Sequence, residues 1–305
     1  MIAMALSNTT TLAECFLEAP PYQGCANSYA GTPHQLGASL NELERTGRYV
    51  AEPKLDGIWV ACIGSGQDAP PVLITRGGKR DKMRLPVLPT GTMLIGELCA
   101  DGKLHCFDAL WTNERYIGER PYADRRAALL RMNLDAAFYP VVPKWTADFL
   151  GRFASEAEGI VLKAYPGGAY SGGNSREWTK FKKRDTHDVI VWGCHAEGKS
   201  LSVAQYQEGL SGDPAVAQAT GLPLTIVSGE YQYDLCDCGK VILSSPEWQG
   251  EIAQNGAAWI GKVIEITAYK RFDSGAFRHA FPASLTPEAR EDKPAAACLV
   301  ADSVG

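Results

Sequence analysis

The sequence predicts an α+β fold in two domains, and three observations carry that prediction. Short strand-like runs bounded by Gly, Pro and Asp dominate the first half. One strongly helical stretch, residues 120–132, interrupts them. After Arg184 only short β runs remain, spaced as in a small barrel. The 305 residues suit two domains at about 150 residues each, and the boundary falls near Asp185 to His187. The expected domains are therefore 1–185 and 186–305.

Taken in order, the first ~48 residues read as loop, because Pro20, Pro21, Gly24, Gly31 and Pro33 punctuate them; residues 41–45 form a short helical patch. Strands follow at 48–51, 58–63 and 72–75. Residues 93–99 and 104–110 flank Asp101-Gly102 and make the clearest hairpin. A two-residue turn there would set Glu97 opposite Cys106. A three-residue loop with Gly102 left-handed sets Glu97 opposite His105 instead, and puts Glu97 and Phe107 on one face. We expect the latter. The helix at 120–132 is rich in Ala, Leu and Arg. Two more strands, 158–163 and 178–182, are split by a Gly-rich stretch. In the second domain the β runs are 188–192, 200–206, 224–227, 241–243 and 263–269, and residues 208–221 read as a mobile insertion.

Composition narrows the function classes. Apolar side chains make up 45% and charged ones 21%, which excludes a disordered or collagen-like chain. The net charge of -5 excludes a uniformly basic surface, although local basic stretches persist. No apolar run reaches the ~20 residues of a membrane helix, and the first residues lack a basic leader. Nine scattered cysteines fit free thiols in a reducing compartment. A cytoplasmic monomer without membrane contact is expected.

The stretch Glu52-Pro53-Lys54-Leu55-Asp56-Gly57 carries the chemistry. A lysine between a strand end and a glycine turn, with a carboxylate two residues on, suits a nucleophilic amine. Free lysine has a pKa of about 10.4, so roughly one molecule in a thousand is neutral at pH 7. Its surroundings must lower that cost. Alone the pattern arises by chance in roughly one chain in fourteen. Downstream, however, stand Arg76-Gly77-Gly78, Gly96-Glu97-Leu98, Phe107-Asp108, Glu158-Gly159-Ile160-Val161-Leu162-Lys163, Trp178-Thr179-Lys180-Phe181-Lys182 and Arg290-Glu291-Asp292-Lys293.

This ordered set resembles the covalent nucleotidyltransferases, and among them the minimal two-domain ATP-dependent DNA ligases. The resemblance implies an ATP-grasp-like nucleotidyltransferase domain of antiparallel sheets and helices, followed by an OB-fold β-barrel. It implies ATP and Mg²⁺ as cofactors and nicked duplex DNA as partner. Lys54 would carry AMP, and Asp56 would assist the final sealing step. Lys180 and Lys182, alternating along a strand so as to share a face, would grip the α-phosphate. Glu52, Arg76, Glu97, Phe107, Lys163, Arg290 and Lys293 would complete the ATP site, Phe107 by stacking on adenine. Glu97 and Glu158 would hold the metal. Arg76, Lys79, Arg80, Lys82 and Arg84 would follow the DNA backbone. Arg290 and Lys293 would orient pyrophosphate as the second domain closes, with residues 184–187 as hinge.

One position departs from the pattern. The arginine usual two residues after the motif glycine is Trp59 here, so the contacts that arginine makes near the nick must be lost or rerouted. Cys236-Asp237-Cys238 lacks the second ligand pair of a zinc site. An RNA ligase, an mRNA-capping guanylyltransferase and a silent nucleic-acid clamp remain as alternatives.

Overall fold

A computed structural model describes residues 22–66, 69–79, 83–140, 148–156, 158–195 and 197–300. The chain divides into two units at the Lys183–Arg184 bond. In the first unit the order is β1 (Gln23–Gly31), α1 (Pro33–Arg45), β2 (Tyr49–Pro53), β3 (Gly57–Ile63), β4 (Val72–Thr75), β5 (Met93–Cys99) and β6 (Leu104–Thr112). Then come β7 (Arg115–Tyr116), α2 (Tyr122–Arg131), β8 (Phe138–Pro140), α3 (Phe149–Ser155), β9 (Gly159–Ala164) and β10 (Gly173–Lys183).

These strands make two sheets, β1-β10-β9-β2 and β4-β3-β5-β6-β7, with β8 added beside β6. Strand β3 is buried on both faces, as its near-continuous apolar sequence requires. Val60 and Cys62 pack with Leu104 and Leu129 of α2 on one side. Trp59, Ala61 and Ile63 pack with Ile74 and Ile95 on the other. In the first sheet, Ala51, Ile160, Leu162 and Phe181 meet Leu40 of α1 and Phe149 and Phe153 of α3.

The segment from 23 to 45 corrects the expectation of a loop with a short helical patch. Strand β1 pairs in parallel with β10, Ser28 opposite Lys180 and Ala30 opposite Lys182, and a long-range parallel partner leaves no local signature. Helix α1 did leave one. Thr32 caps it, accepting from the Gln35 N–H, while the Gln35 side chain accepts from the Thr32 N–H; Pro33 follows the cap. That reciprocal pair contributes roughly 1 kcal/mol.

The second unit runs β11 (Asp185–Cys194), β12 (Ser200–Gln207), α4 (Pro214–Thr220), β13 (Thr225–Ser228), β14 (Tyr231–Ile242), α5 (Pro246–Asn255) and β15 (Val263–Ala268). Four two-residue strands complete it: β16 (Lys270–Arg271), β17 (Phe277–Arg278), β18 (Phe281–Pro282) and β19 (Leu299–Val300). Its main sheet follows the path β13-β14-β12-β11-β15-β18, with β19 on β12. Among the described residues β13 and β18 end this path without pairing to each other, and a lone parallel bridge, Val241 to Ala280, links β14 to the β18 end, so no continuously paired barrel of the kind expected is formed.

Helix α5 covers one face of that sheet through Trp248 and Ile252, and α4 covers the other through Val216, against Ile190 and Tyr206. Helix α4 replaces the mobile insertion expected at 208–221. Asp213 caps its start by accepting from the Ala215 N–H, and Gly221 ends it at φ 69°. Strand β14 likewise exceeds the 241–243 run, and its Cys236 and Cys238 are free buried thiols.

Candidate active site

Side-chain alternation in the first sheet builds a cleft. Even-numbered Ile160 and Leu162 turn toward the helices, so Val161 and Lys163 turn the other way. Trp178, Lys180 and Lys182 do the same on β10, and Glu52 on β2. Across from them the second sheet contributes Trp59, Glu97 and Phe107. The cavity is about 280 Å³, with Lys54 on its wall. The hairpin register places Glu97 opposite His105, with Gly102 at φ 75°, as the three-residue loop requires. Glu97 and Phe107 therefore reach one cavity.

Lys54 is held by its backbone and its side chain. Its N–H donates to the Gly159 carbonyl at 2.8 Å, and its Nζ donates to Glu158 Oε2 at 2.5 Å. Two motif glycines follow from this close packing. A Cβ on Gly57 would lie 2.4 Å from the Leu98 carbonyl oxygen. One on Gly159, whose φ is 113°, would lie 2.0 Å from the Phe181 carbonyl oxygen.

Glu97 completes a group of acids about the amine. Burial pushes its carboxyl up to about 7 against an ordinary 4.5; Lys54 and the Gly57 N–H oppose the rise, and the charges of Asp56 and Glu158 add to it. The folded protein therefore holds this proton more tightly than the unfolded chain. Stability from the protonated carboxyl is fully present below about pH 4.5 and lost as pH rises through about 7. Glu97→Gln removes that loss. We expect it to raise unfolding stability by up to about 3 kcal/mol at pH 8 and to change it little at pH 4.5. Urea midpoints at the two pH values check this, and equal shifts at both would refute it.

Among the described residues no three His, Cys, Asp or Glu side chains gather as a metal cage. Glu97 in the cleft wall and Glu158 at the Lys54 amine offer hard oxygen donors. That suits Mg²⁺, which takes one or two carboxylates and fills its shell with waters and phosphate oxygens. The donor set fits the ion.

Deeper in the cleft, Glu52 is buried and draws a phenol and two cations. Tyr122 donates its hydroxyl to Oε1, Lys163 lies 2.5 Å from Oε2, and Arg126 Nε lies 3.7 Å from Oε1. The Lys163 ammonium also sits 4.5, 4.9 and 4.2 Å from the ring centres of Phe107, Tyr122 and Trp178. Burial lowers the Lys163 pKa, with Glu52 working against it. No motif in the sequence singles out Tyr122 or Arg126; both lie on a helix whose periodicity marks them only as core-facing.

Of the other predicted residues, Asp56 is exposed on the loop before β3, and Lys79 and Arg84 are exposed. Arg76 occupies the turn after β4, where its guanidinium lies over the Tyr22 ring at 4.1 Å. Arg80 and Lys82 lie outside the described residues. Arg290 and Lys293 belong to the second unit. There Arg290 pairs with Asp188, Glu265 and Asp292 at 3.1, 3.3 and 3.0 Å, and Lys293 pairs with Asp188 at 3.2 Å.

Comparison with solved structures supplies the fold. A structure of Lig E DNA ligases, described as DNA binding with a minimal scaffold, superposes with a TM-score of 0.56 at 16% identity, covering 89% of this chain and 100% of that one. The chain has a DNA-ligase fold. A second solved structure, Pmar-Lig_PreS3, gives 0.53 at 17% identity over 87% of this chain and 68% of its own. In sequence, a probable DNA ligase of Nocardia farcinica is 28% identical over 151 residues, 46% of this chain. The match spans under a third of that relative's length, 29%. No protein-family model matches. Within this ligase fold, no helix among the described residues is long and apolar enough to cross a membrane.

Proposed function

We propose that the chain is an ATP-dependent DNA ligase that seals nicks bearing 5′-phosphate and 3′-hydroxyl ends. One observation carries the reading: Lys54 stands in a single cleft with Glu97, Phe107, Lys163, Lys180 and Lys182, and its amine is hydrogen-bonded to Glu158, 104 residues away in sequence.

The chemistry follows from those positions. Lys54 gives up its proton, for which Glu158 is the carboxylate within hydrogen-bond reach. The neutral amine attacks the α-phosphorus of ATP, a P–N bond forms, and the P–O bond to pyrophosphate breaks with its electron pair on the leaving group. Lys180 and Lys182 supply positive charge where the phosphate oxygens gain it. Phe107 stacks on the base, and the buried Glu52 meets it with a carboxylate already oriented by Tyr122 and Lys163. A Mg²⁺ held by Glu97 and Glu158 would neutralise phosphate charge. AMP then passes from Lys54 to the 5′-phosphate at the nick. Attack by the 3′-hydroxyl forms the phosphodiester and releases AMP, with Asp56 assisting. Lys79 and Arg84 follow the DNA backbone, as do Arg80 and Lys82. We read the second unit as the OB-type domain, domains 1–185 and 186–305 being the functional division. Its Arg290 and Lys293 serve pyrophosphate only once freed from Asp188 and Glu265.

Gel-resolved sealing of a nicked DNA duplex, beside a duplex nicked in an RNA strand, tests this reading. With ATP and Mg²⁺ the DNA nick is expected to close at least about 10-fold faster than the RNA nick, and GTP is expected not to substitute. Transfer of GMP to the protein would replace ligation with capping. Absence of any product, with no AMP on the protein, would leave the silent clamp.

A further inference from the structure

Trp59 raises the question of where a cation lost from that position has gone. Its indole is 93% buried by relative exposure, at 7%, and faces the Tyr22 ring edge-on, with centroids 5.5 Å apart and planes at 83°. Over the Tyr22 ring lies the Arg76 guanidinium, 4.1 Å from the ring centre. Tyr22 and Trp59 both line the cleft that holds Lys54. Arg76 reaches them from a turn whose backbone is fixed: Thr75 N–H donates to the Lys79 carbonyl at 2.8 Å, and Gly78 N–H, at φ 75°, donates to the Thr75 carbonyl at 2.9 Å. The result is a column: a buried indole, a phenol ring standing on it, and a planar cation on that ring.

We propose that Tyr22 is a positioning residue for Arg76, and that the Trp59–Tyr22 pair delivers to the cleft mouth a guanidinium that contacts phosphate beside the nick. The inference rests on the ligase reading. An exposed arginine is a flexible chain that loses rotamer freedom when it grips a phosphate. Stacked on an aromatic face it is ordered before the ligand arrives, and the guanidinium edge stays free to donate. Tyr22 thus acts through Arg76 without touching the reacting atoms.

Equilibrium binding of a nicked duplex over a salt series tests the assignment, using the parent, Tyr22→Phe, Tyr22→Leu, Arg76→Ala, Arg76→Lys and the Tyr22→Leu/Arg76→Ala double variant. Tyr22→Phe keeps the ring face and is expected to bind as the parent does. Tyr22→Leu is expected to bind about 10-fold more weakly and to reduce the slope of log affinity against log salt by up to about 0.9, the value of one phosphate contact. Arg76→Ala should match it, and the double variant should be no worse than Arg76→Ala. Arg76→Lys, an exposed change that leaves the core alone, should keep the slope and bind about 5-fold more weakly, because an ammonium stacks poorly. The inference is overturned if Tyr22→Leu binds like the parent, if its loss adds in full to that of Arg76→Ala, if Phe is as poor as Leu, or if Arg76→Lys is neutral. Should Tyr22→Leu not fold, the Phe and Lys variants still decide. A parent that acquires no AMP and binds no nick overturns the ligase reading as well; a parent that seals nicks with Tyr22 variants indistinguishable from it overturns this inference alone.

Discussion

Lys54→Ala is expected to take up no AMP when incubated with ATP and Mg²⁺, while the parent acquires one AMP per chain by intact-mass measurement. Sealing should fall by at least about 10³-fold, because the reading gives Lys54 the covalent step and the other cleft lysines, Lys163, Lys180 and Lys182, only charge and positioning. Lys54→Arg should fail equally. It keeps the positive charge and much of the length, but a guanidinium with a pKa above about 12 offers no neutral nitrogen near pH 7. The arginine variant thus separates two roles for position 54, nucleophile and mere counter-charge for phosphate. A counter-charge would survive the change to arginine; a nucleophile would not. Stability should hardly move in either variant. The Lys54–Glu158 pair is partly exposed, at 20% and 16% of side-chain surface, so water can reach Glu158 once the amine is gone, at a cost of about 1 kcal/mol. An Ala variant that carries AMP in parental yield would move the nucleophile elsewhere.

How much of this site could be read before the structure depends on the kind of contact. Alternation was legible: Lys180 and Lys182 share a face because strands have a period of two, and both line the cleft. The Glu97–His105 register was legible from the Asp101-Gly102 loop alone. Contacts without a spacing rule were not. Tyr122 reaches Glu52 across 70 residues, and no local pattern connects a helix tyrosine to a strand glutamate. Tyr22 lay in a stretch read as loop because its neighbouring strand pairs in parallel with β10, at the far end of the unit in sequence. Helix α1 was hidden by Gly31 and Pro33, which read as loop punctuation; Pro33 is in fact at the first turn, where a missing N–H costs nothing. The incomplete pairing around the second unit's sheet lies at another level. Strand count and spacing predict that strands pair, whereas closure depends on how the two end strands meet.

The largest stability effect is expected at a pair whose partners were both on view in the sequence without being linked. Asp108, beside Phe107 on β6, and Arg125 of α2 are fully buried, with 0% of either side chain exposed. The bonds are bidentate, Nε to Oδ1 at 2.8 Å and Nη2 to Oδ2 at 2.9 Å. The remaining valences are also used: Arg125 Nη1 donates to the carbonyls of Arg120 at 2.6 Å and Gly168 at 3.0 Å, and Asp108 Oδ1 accepts from the Ala109 N–H at 2.9 Å. Arg125→Ala leaves a buried carboxylate without its paired guanidinium, and should cost about 3–5 kcal/mol by urea unfolding. Asp108→Asn should cost a similar amount, since the guanidinium cannot shed its charge. Combining Asp108→Leu with Arg125→Met removes both charges at once and should cost less than the sum of the losses of Asp108→Leu and Arg125→Met made singly by about 3 kcal/mol or more. It should still fall short of the parent, because the Arg120 and Gly168 carbonyls and the Ala109 N–H lose their partners, at about 1–3 kcal/mol for each group left dry. Additive losses would mean that the two side chains act independently. Nucleotide binding gives a second readout of the same pair. Asp108 fixes the backbone next to Phe107, so the double variant, folded but without that tie, should bind ATP more weakly than Lys54→Ala does, although both of its substitutions lie outside the cleft.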